Sequence, residues 1–342
     1  MCSMLRIWLF IGLATLGCST TNLTKYEVSG RTMGTTYRLT YYSGENLDVN
    51  LAKEVDRLLI EINQSLSPFI DSSLLSRINT SRDTAEAHLI DRHFKTVFEH
   101  AQYIHAITNG AFNPALGPLI RAWGFGRDEP HDLDSTQVSD LLQITSLATF
   151  RIEEGDSQHL RKQIAEGELD FGAIAKGYAV DQLGLLLANL GIPDYLVEIG
   201  GEVRARGSHP DHRSWRVGIG KPLAASRDLQ VIVQLSDLSM ATSGNYRNYY
   251  WKNGRKMVHT INPLTGYPEH NSLFSVSVIA QDCMTADAFA TAFMVLGLDA
   301  TLDLVRRNKG PDVYLIFGGD MTALETSISE GFSRIVIVDT DR

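Results

Sequence analysis

The C-terminal half of this chain is built from short runs in which apolar side chains alternate with others, and this pattern constrains the fold more than any other feature. Trp215, Val217 and Ile219 alternate in this way, as do Leu229, Val231, Val233 and Leu235, and Phe274, Val276, Val278 and Ala280. A period of two puts one set of side chains on one face of an extended strand. Tyr37, Leu39 and Tyr41 give the same signal near the start, and Ile335-Val336-Ile337-Val338 reads as a buried last strand. Helical spacing intervenes elsewhere. Leu51, Val55, Leu58, Leu59 and Ile62 form one apolar stripe, with Asp48 as a candidate cap, and Phe94, Val97, Phe98, Ala101 and Ile104 form another. Val180, Leu183, Leu187 and Leu190 form a third, stopped by Gly191 and Pro193. The class expected is α+β, a mainly antiparallel sheet with helices over one face.

Composition narrows the function classes. The chain has 342 residues, 44% hydrophobic and 21% charged, which excludes a disordered, collagen-like or coiled-coil protein. Its formal charge of −9 argues against nucleic-acid binding, which usually needs a basic face.

The N-terminus sets the expected compartment. Arg6 precedes an apolar run over Ile7 to Leu16, too short to span a bilayer, and Gly17-Cys18 closes it. This is the pattern of an export signal over residues 1–17, with Cys18 as the acylated first residue of a bacterial lipoprotein. Thr15 stands where such signals usually carry Leu, so a plain signal peptide with an incidental cysteine is the alternative. Residues 18–30 read as a tether and 31–342 as the folded unit. No later segment reads as long and apolar enough to be transmembrane. Signal removal also discards Cys2. With Cys18 lipidated, Cys283 would be a lone thiol, expected as a buried filler.

Four segments carry more special residues than scaffolding requires. Gly110-Ala111-Phe112-Asn113-Pro114-Ala115-Leu116-Gly117-Pro118, followed by Trp123-Gly124-Phe125-Gly126, reads as a long ordered turn, fit either to face a flat ligand or to pack on the core. Asp170-Phe171-Gly172-Ala173-Ile174-Ala175-Lys176-Gly177-Tyr178 leads into the Val180 helix. A Gly-containing helix start offers amides to an anion and Lys176 a point charge for a phosphate, but the spacing matches neither established phosphate-loop motif; a capped helix with a solvated lysine is the alternative. Ala241-Thr242-Ser243-Gly244-Asn245-Tyr246 and Val258-His259-Thr260-Ile261-Asn262-Pro263-Leu264-Thr265-Gly266 gather hydroxyls, glycine and a histidine near turns. In Thr285-Ala286-Asp287-Ala288-Phe289-Ala290-Thr291, Asp287 and Thr291 share a helix face as hard oxygen ligands suited to Mg²⁺, or as a dipole partner and a back-bonded hydroxyl. A weak internal echo links Tyr195–Glu202 with Tyr314–Asp320, each a strand, a Gly-Gly turn and an acid.

Taken together and in order, Met33-Gly34-Thr35, G-A-F-N-P-A-L-G-P-L, D-F-G-A-I-A-K-G-Y, A-T-S-G-N-Y, H-T-I-N-P-x-T-G and A-D-A-F-A-T resemble the ApbE family of flavin transferases, over about Thr32 to Gly297. The resemblance implies an ApbE-like, T-fold-like α+β unit with a helical insertion. It implies a magnesium-dependent enzyme that transfers FMN from FAD to a threonine hydroxyl of a target protein and releases AMP. Typical targets are subunits of sodium-pumping NADH:quinone reductase and related electron-transfer complexes. Carried over onto this chain, Met33, Phe69, Ala111, Phe112, Asn113, Asp170, Lys176, His259 and Ile261 would contact the flavin nucleotide. Asp287, Thr291 and the Ala173 carbonyl would hold Mg²⁺, and His259 is the candidate proton acceptor, with Asp287 or a metal-bound hydroxide as the alternatives. Asn113 and Asn262 depart from the family, which often has Asp at both places; a positioning role would survive the change and a role in proton transfer would not. The expected location is a lipid-anchored protein facing the periplasm. A magnesium-dependent FAD pyrophosphatase and a non-catalytic FAD-binding lipoprotein remain the other readings.

Overall fold

The computed structural model describes residues 23–339 apart from 45–48, 127–128, 130, 154, 156, 212, 223–227, 246–248, 253–254, 270 and 320–322. Cys18, the signal segment, Asp48 and Tyr246 lie outside the described residues.

The chain opens with a hairpin, β1 (Thr24–Thr32) and β2 (Thr35–Ser43), so strand begins inside the segment 18–30 expected as a tether. The following excursion carries α1 (Leu51–Leu66), α2 (Leu74–Thr80), β3 (His88–Leu89), α3 (Arg92–Ile107), α4 (Gly117–Ala122), α5 (Ser135–Gln143), β4 (Phe150–Glu153), β5 (His159–Lys162) and α6 (Ala175–Asn189). The rest is largely strand: β6 (Tyr195–Ile199), β7 (Glu202–Arg206), β8 (Trp215–Gly220), β9 (Leu229–Leu235), β10 (Leu238–Gly244), β11 (Tyr249–Lys252), β12 (Arg255–Val258) and β13 (Leu273–Ala280). It closes with α7 (Cys283–Arg306), β14 (Asp312–Gly318), β15 (Leu324–Ile328), α8 (Glu330–Ser333) and β16 (Val336–Asp339). The insertion expected to be helical thus also holds a small antiparallel sheet, β3-β5-β4.

The main sheet has the order β1-β2-β6-β7-β10-β13-β14-β15, with antiparallel neighbours throughout. Alternation along its strands feeds two cores. Val276 and Val278 of β13 and Val313 and Leu315 of β14 point to the helical side, where they meet α1, α3, α6 and α7. Ile279, Tyr314 and Ile316 point the other way, against Trp215, Ile219, Val231 and Val233. Helices therefore cover one face, as expected, and the three-stranded sheet β16-β9-β8 covers part of the other. The strand at the end of the chain is an edge. Ile337 is 39% and Val338 45% exposed, which corrects the reading of a buried last strand, because only β9 pairs with β16 among the described residues. The helix stripes at Leu51, Phe94 and Val180 are buried as the spacing requires, and α1 is capped by the Asn50 side chain, which accepts from the Lys53 amide.

Helix α7 overturns one expectation. At 24 residues it is long and apolar enough to cross a membrane. Its apolarity reflects burial instead, since it packs between the main sheet and α6. The helix is broken at Gly297, whose φ of 75° lies in the left-handed region that glycine enters at little cost.

Helices α6 and α7 cap each other. Ile174, before α6, offers no side-chain cap, and the Gly177 amide instead donates to Asp287 Oδ2 of α7 at 2.9 Å. In return Asp181 of α6 accepts from the Cys283 and Met284 amides at 3.0 and 2.9 Å, and also pairs with Arg204 of β7. Gly177 permits the approach, because a Cβ there would lie 2.3 Å from the Cys283 carbonyl oxygen. Cys283 is fully buried at this contact, and burial pushes its thiol well above the usual range, which fits the expected filler. Asp181→Ala strands two helix-end amides and a half-buried guanidinium, so it should cost about 3–5 kcal/mol in urea unfolding.

Candidate functional site

The reciprocal cap places three charged side chains together. Lys176, at the start of α6, has its Nζ 3.3 Å from Glu202 Oε1 and 3.8 Å from Asp287 Oδ1, and donates to the Gly172 carbonyl at 3.4 Å. Glu202 opens β7 directly after the Gly200-Gly201 turn and is 4% exposed. Burial pushes its carboxyl up to about 8, against the pull of Lys176 and with the help of Asp287. The Lys176 ammonium is held above its usual range by Asp287 and Glu202, which outweigh its burial. One turn along α7 from Asp287, the Thr291 hydroxyl lies 3.3 Å from Ser243 of β10.

The β1–β2 turn borders this centre. Thr32 pairs with Thr35, so Met33 and Gly34 form a two-residue loop, and both have positive φ, 49° and 73°. The mirror-type hairpin turn demands such angles, and a methionine there is strained. Thr35 in turn lies against Gly200, where an added Cβ would sit 2.8 Å from Thr35 and 3.4 Å from Glu202 Oε2. Met33 itself is partly buried against the main core.

A cavity of about 390 Å³ adjoins the centre, lined among others by Phe69, Asn79, Arg121, Glu168 and Asp170. Phe69 presents a ring that is 63% exposed. Asp170 accepts from the Gly172 amide at 2.6 Å, and burial raises its carboxyl while Lys176 lowers it, so cavity and charged centre share an electrostatic border. The wall is rigid. Lys162, fully buried, donates to the Asn79 and Gly167 carbonyls at 3.2 Å each, and burial pushes its amine down to about 8. Asn79 also bonds both backbone groups of Leu169 at 2.8 Å, and Arg121 pairs with Glu168 at 2.8 Å.

His259 is half-buried, with its ring edge-on to Phe125 at 6.5 Å between centroids. It directly follows β12 and enters a turn closed by an Asn262 to Tyr267 backbone bond of 2.8 Å and an Ile261–Pro268 bridge. Trp123 Nε1 donates to the Gly266 carbonyl at 2.8 Å, and Tyr250 donates to the Trp123 carbonyl at 2.8 Å, so hydrogen bonds tie the Trp123 segment to the histidine turn. Ile261, Ala111 and Phe112 are buried. Ile261 packs with Trp123, and Phe112 joins the main core.

Both asparagines at departures from the family pattern use their whole amide. Asn113 donates to the Thr145 carbonyl at 3.0 Å and accepts from the Ala115 amide at 2.9 Å. Asn262 donates to Glu269 Oε2 at 2.6 Å and accepts from the Leu264 amide at 2.8 Å. An aspartate could only accept, so in this chain both positions shape turns.

Of the residues expected at the site, Lys176 and Asp287 meet directly, Asp170 and Met33 border them, Thr291 follows Asp287, and Phe69 lines the adjoining cavity. Sequence reasoning missed Glu202 as a site residue. Its signal was the acid after Gly200-Gly201, read as half of an echo. That echo corresponds to two hairpins of the main sheet, β6–β7 and β14–β15, with Asp320 outside the described residues. Among the described residues no three His, Cys, Asp or Glu side chains cluster as a metal site. The expected donors are instead one carboxylate, one hydroxyl and one carbonyl. Asn262→Asp would place two carboxylates side by side, so it should lower stability by about 1–3 kcal/mol at pH 7 in urea unfolding, and by less at pH 5, where the pair shares a proton.

Comparison with known proteins follows the same segments. The family model described as "ApbE family" matches residues 33–315. A FAD:protein FMN transferase of Vibrio cholerae is 36% identical over 320 residues, covering 91% of this chain and 94% of that protein. One from Escherichia coli is 33% identical over 293 residues, covering 84% and 83%. Among solved structures, the flavin transferase ApbE from Vibrio cholerae superposes with a TM-score of 0.81 at 34% identity, covering 92% of this chain and all of that one. The apo flavinyl transferase ApbE of Pseudomonas stutzeri gives 0.81 at 32% identity, covering 92% and 97%. With the family model spanning the strained Met33 turn, the Lys176–Asp287 centre and the histidine turn alike, this chain belongs to the ApbE family.

Proposed function

We propose that this chain transfers the FMN half of FAD to a threonine hydroxyl of an acceptor protein, forming a phosphoester and releasing AMP. The observation that carries the reading is the convergence of Lys176, Asp287 and Glu202 beside the Met33-Gly34 turn, in a chain whose relatives are named FAD:protein FMN transferases.

The chemistry asks for charge neutralisation before an oxygen nucleophile can approach a pyrophosphate. Lys176 supplies a fixed positive charge. Asp287, the Thr291 hydroxyl and the Ala173 carbonyl are hard oxygen donors of the kind that suit Mg²⁺. Asp287 fits this use because Oδ2 is engaged by Gly177 while Oδ1 reaches Lys176 at 3.8 Å, longer than a hydrogen bond. Mg²⁺, when bound, would draw charge from the pyrophosphate and from the leaving AMP. His259 takes the threonine proton as that oxygen bonds to the FMN phosphorus and the bond from phosphorus to the AMP oxygen breaks. Phe69 and Met33 offer apolar surface to flat rings, and Asp170 offers an acceptor at the border of cavity and centre. Ala111, Phe112, Asn113 and Ile261 hold the loops that frame the nucleotide.

The wider setting belongs to the same reading. Residues 1–17 form an export signal, Cys18 carries lipid, and the folded unit faces the periplasm, where the acceptor is a subunit of a sodium-pumping NADH:quinone reductase or a related electron-transfer complex.

Incubation with FAD, Mg²⁺ and such a subunit, followed by intact mass, should add one FMN to the acceptor. Free FMN with AMP would identify a pyrophosphatase, and unaltered FAD a binder. Asp287→Ala should lower transfer by at least about 100-fold, the scale of losing a main electrostatic contributor to the transition state. Cys18→Ser should move the protein from membrane to soluble fractions, and unchanged membrane association would exclude lipid on Cys18 as the anchor.

A further inference from the structure

Glu202 is the buried acid of this centre to which the proposed reaction gives no task. Its Oε2 is buried and has no hydrogen-bond partner, while its Oε1 lies 3.3 Å from Lys176 Nζ. The same ammonium lies 3.8 Å from Asp287 Oδ1. Asp287 has its other oxygen engaged by the Gly177 amide, so Oδ1 is the atom through which it would meet a cation. An ammonium and a divalent cation compete for that one oxygen, since each is drawn by the same charge.

We infer that Glu202 is a positioning residue, which holds the Lys176 ammonium off Asp287 Oδ1 and so keeps that oxygen open to a divalent cation. The inference rests on the reading of Asp287 as a cation ligand. Three observations carry it. The ammonium sits nearer Glu202 than Asp287 and is shared with the Gly172 carbonyl on the side of α6. The Glu202 carboxyl is fixed by burial and by the Gly200-Gly201 turn, which at Gly200 has no Cβ to crowd Thr35 and Oε2. Two carboxyl groups face one ammonium, and Asp287 Oδ1 is the oxygen left outside hydrogen-bond reach of it.

Removing the Glu202 carboxyl then frees Lys176 to close on Asp287. The test is a Mn²⁺ titration of the full-length protein without FAD, with free Mn²⁺ read by electron paramagnetic resonance. Glu202→Leu should weaken Mn²⁺ binding about tenfold, the scale of one close unscreened charge contact. Adding Lys176→Met should restore binding to within about twofold of Lys176→Met alone, because the competing charge is gone. The Mg²⁺ concentration giving half-maximal FMN transfer should rise in Glu202→Leu by the same factor as the Mn²⁺ dissociation constant. Should Glu202→Leu fold poorly by circular dichroism, Glu202→Gln should show the same direction at about threefold, again erased by Lys176→Met. Unchanged Mn²⁺ affinity on loss of the carboxyl, or a double variant as weak as the single one, would overturn the inference while leaving the cation site standing. No Mn²⁺ binding by the unmodified protein would overturn the cation site itself, and the inference with it.

Discussion

The site depends on the exchange of caps between α6 and α7. Each helix start has amide donors without acceptors in its own first turn, and an aspartate from the other helix accepts from them: Asp287 from Gly177, Asp181 from Cys283 and Met284. The exchange works only because Gly177 lets the two backbones touch. It fixes where Lys176 and Asp287 stand, and the pair therefore carries both fold and chemistry. An aspartate that serves a helix end with one oxygen and faces a lysine with the other is held more firmly than one on a loop.

Much of this was legible in the sequence, for reasons that differ by element. The stripes at Leu51, Phe94 and Val180 and the alternation in β8, β9 and β13 announce their elements because burial is periodic. Helix α7 was legible only at Asp287 and Thr291, since its piece before Gly297 has no exposed residue and so loses its amphipathic signature. The last strand read as buried because four β-formers in a row look alike in a core and at an edge. Sheet order decides which, and sheet order is not local. The charged centre was half legible. Lys176 and Asp287 sit in marked segments, but Glu202 gains its meaning from a partner 26 positions earlier in the chain. Asn113 and Asn262 looked like losses of charge, and their amide donors have uses that only the folded turns reveal.

Electrostatics and strain meet at one edge of the main sheet. The Met33-Gly34 and Gly200-Gly201 turns adjoin there, and both run through positive φ. Met33 in that conformation implies that the rest of the hairpin, nine paired positions between β1 and β2, holds the turn in place against its own preference. The neighbouring Glu202 carboxyl is raised by burial, another unfavourable state maintained by the fold. Local costs of this kind, gathered where a ligand would bind, are what a preorganised polar site looks like before its ligand arrives.

The break at Gly297 has a mechanical consequence. The hydrogen-bonded ladder that carries Asp287 and Thr291 ends there, and the chain restarts as a second helical piece leading to β14. Around the break, the Thr301 hydroxyl donates to the Phe293 carbonyl at 3.3 Å and the Asn271 amide donates to the Met294 carbonyl at 2.7 Å, so side chains satisfy the carbonyls that the interrupted ladder leaves open. The inner piece, with Asp287 and Thr291, can therefore end on β10 and β13 without stranding its last carbonyls, and Gly297 works as a pinned joint that turns the chain towards β14.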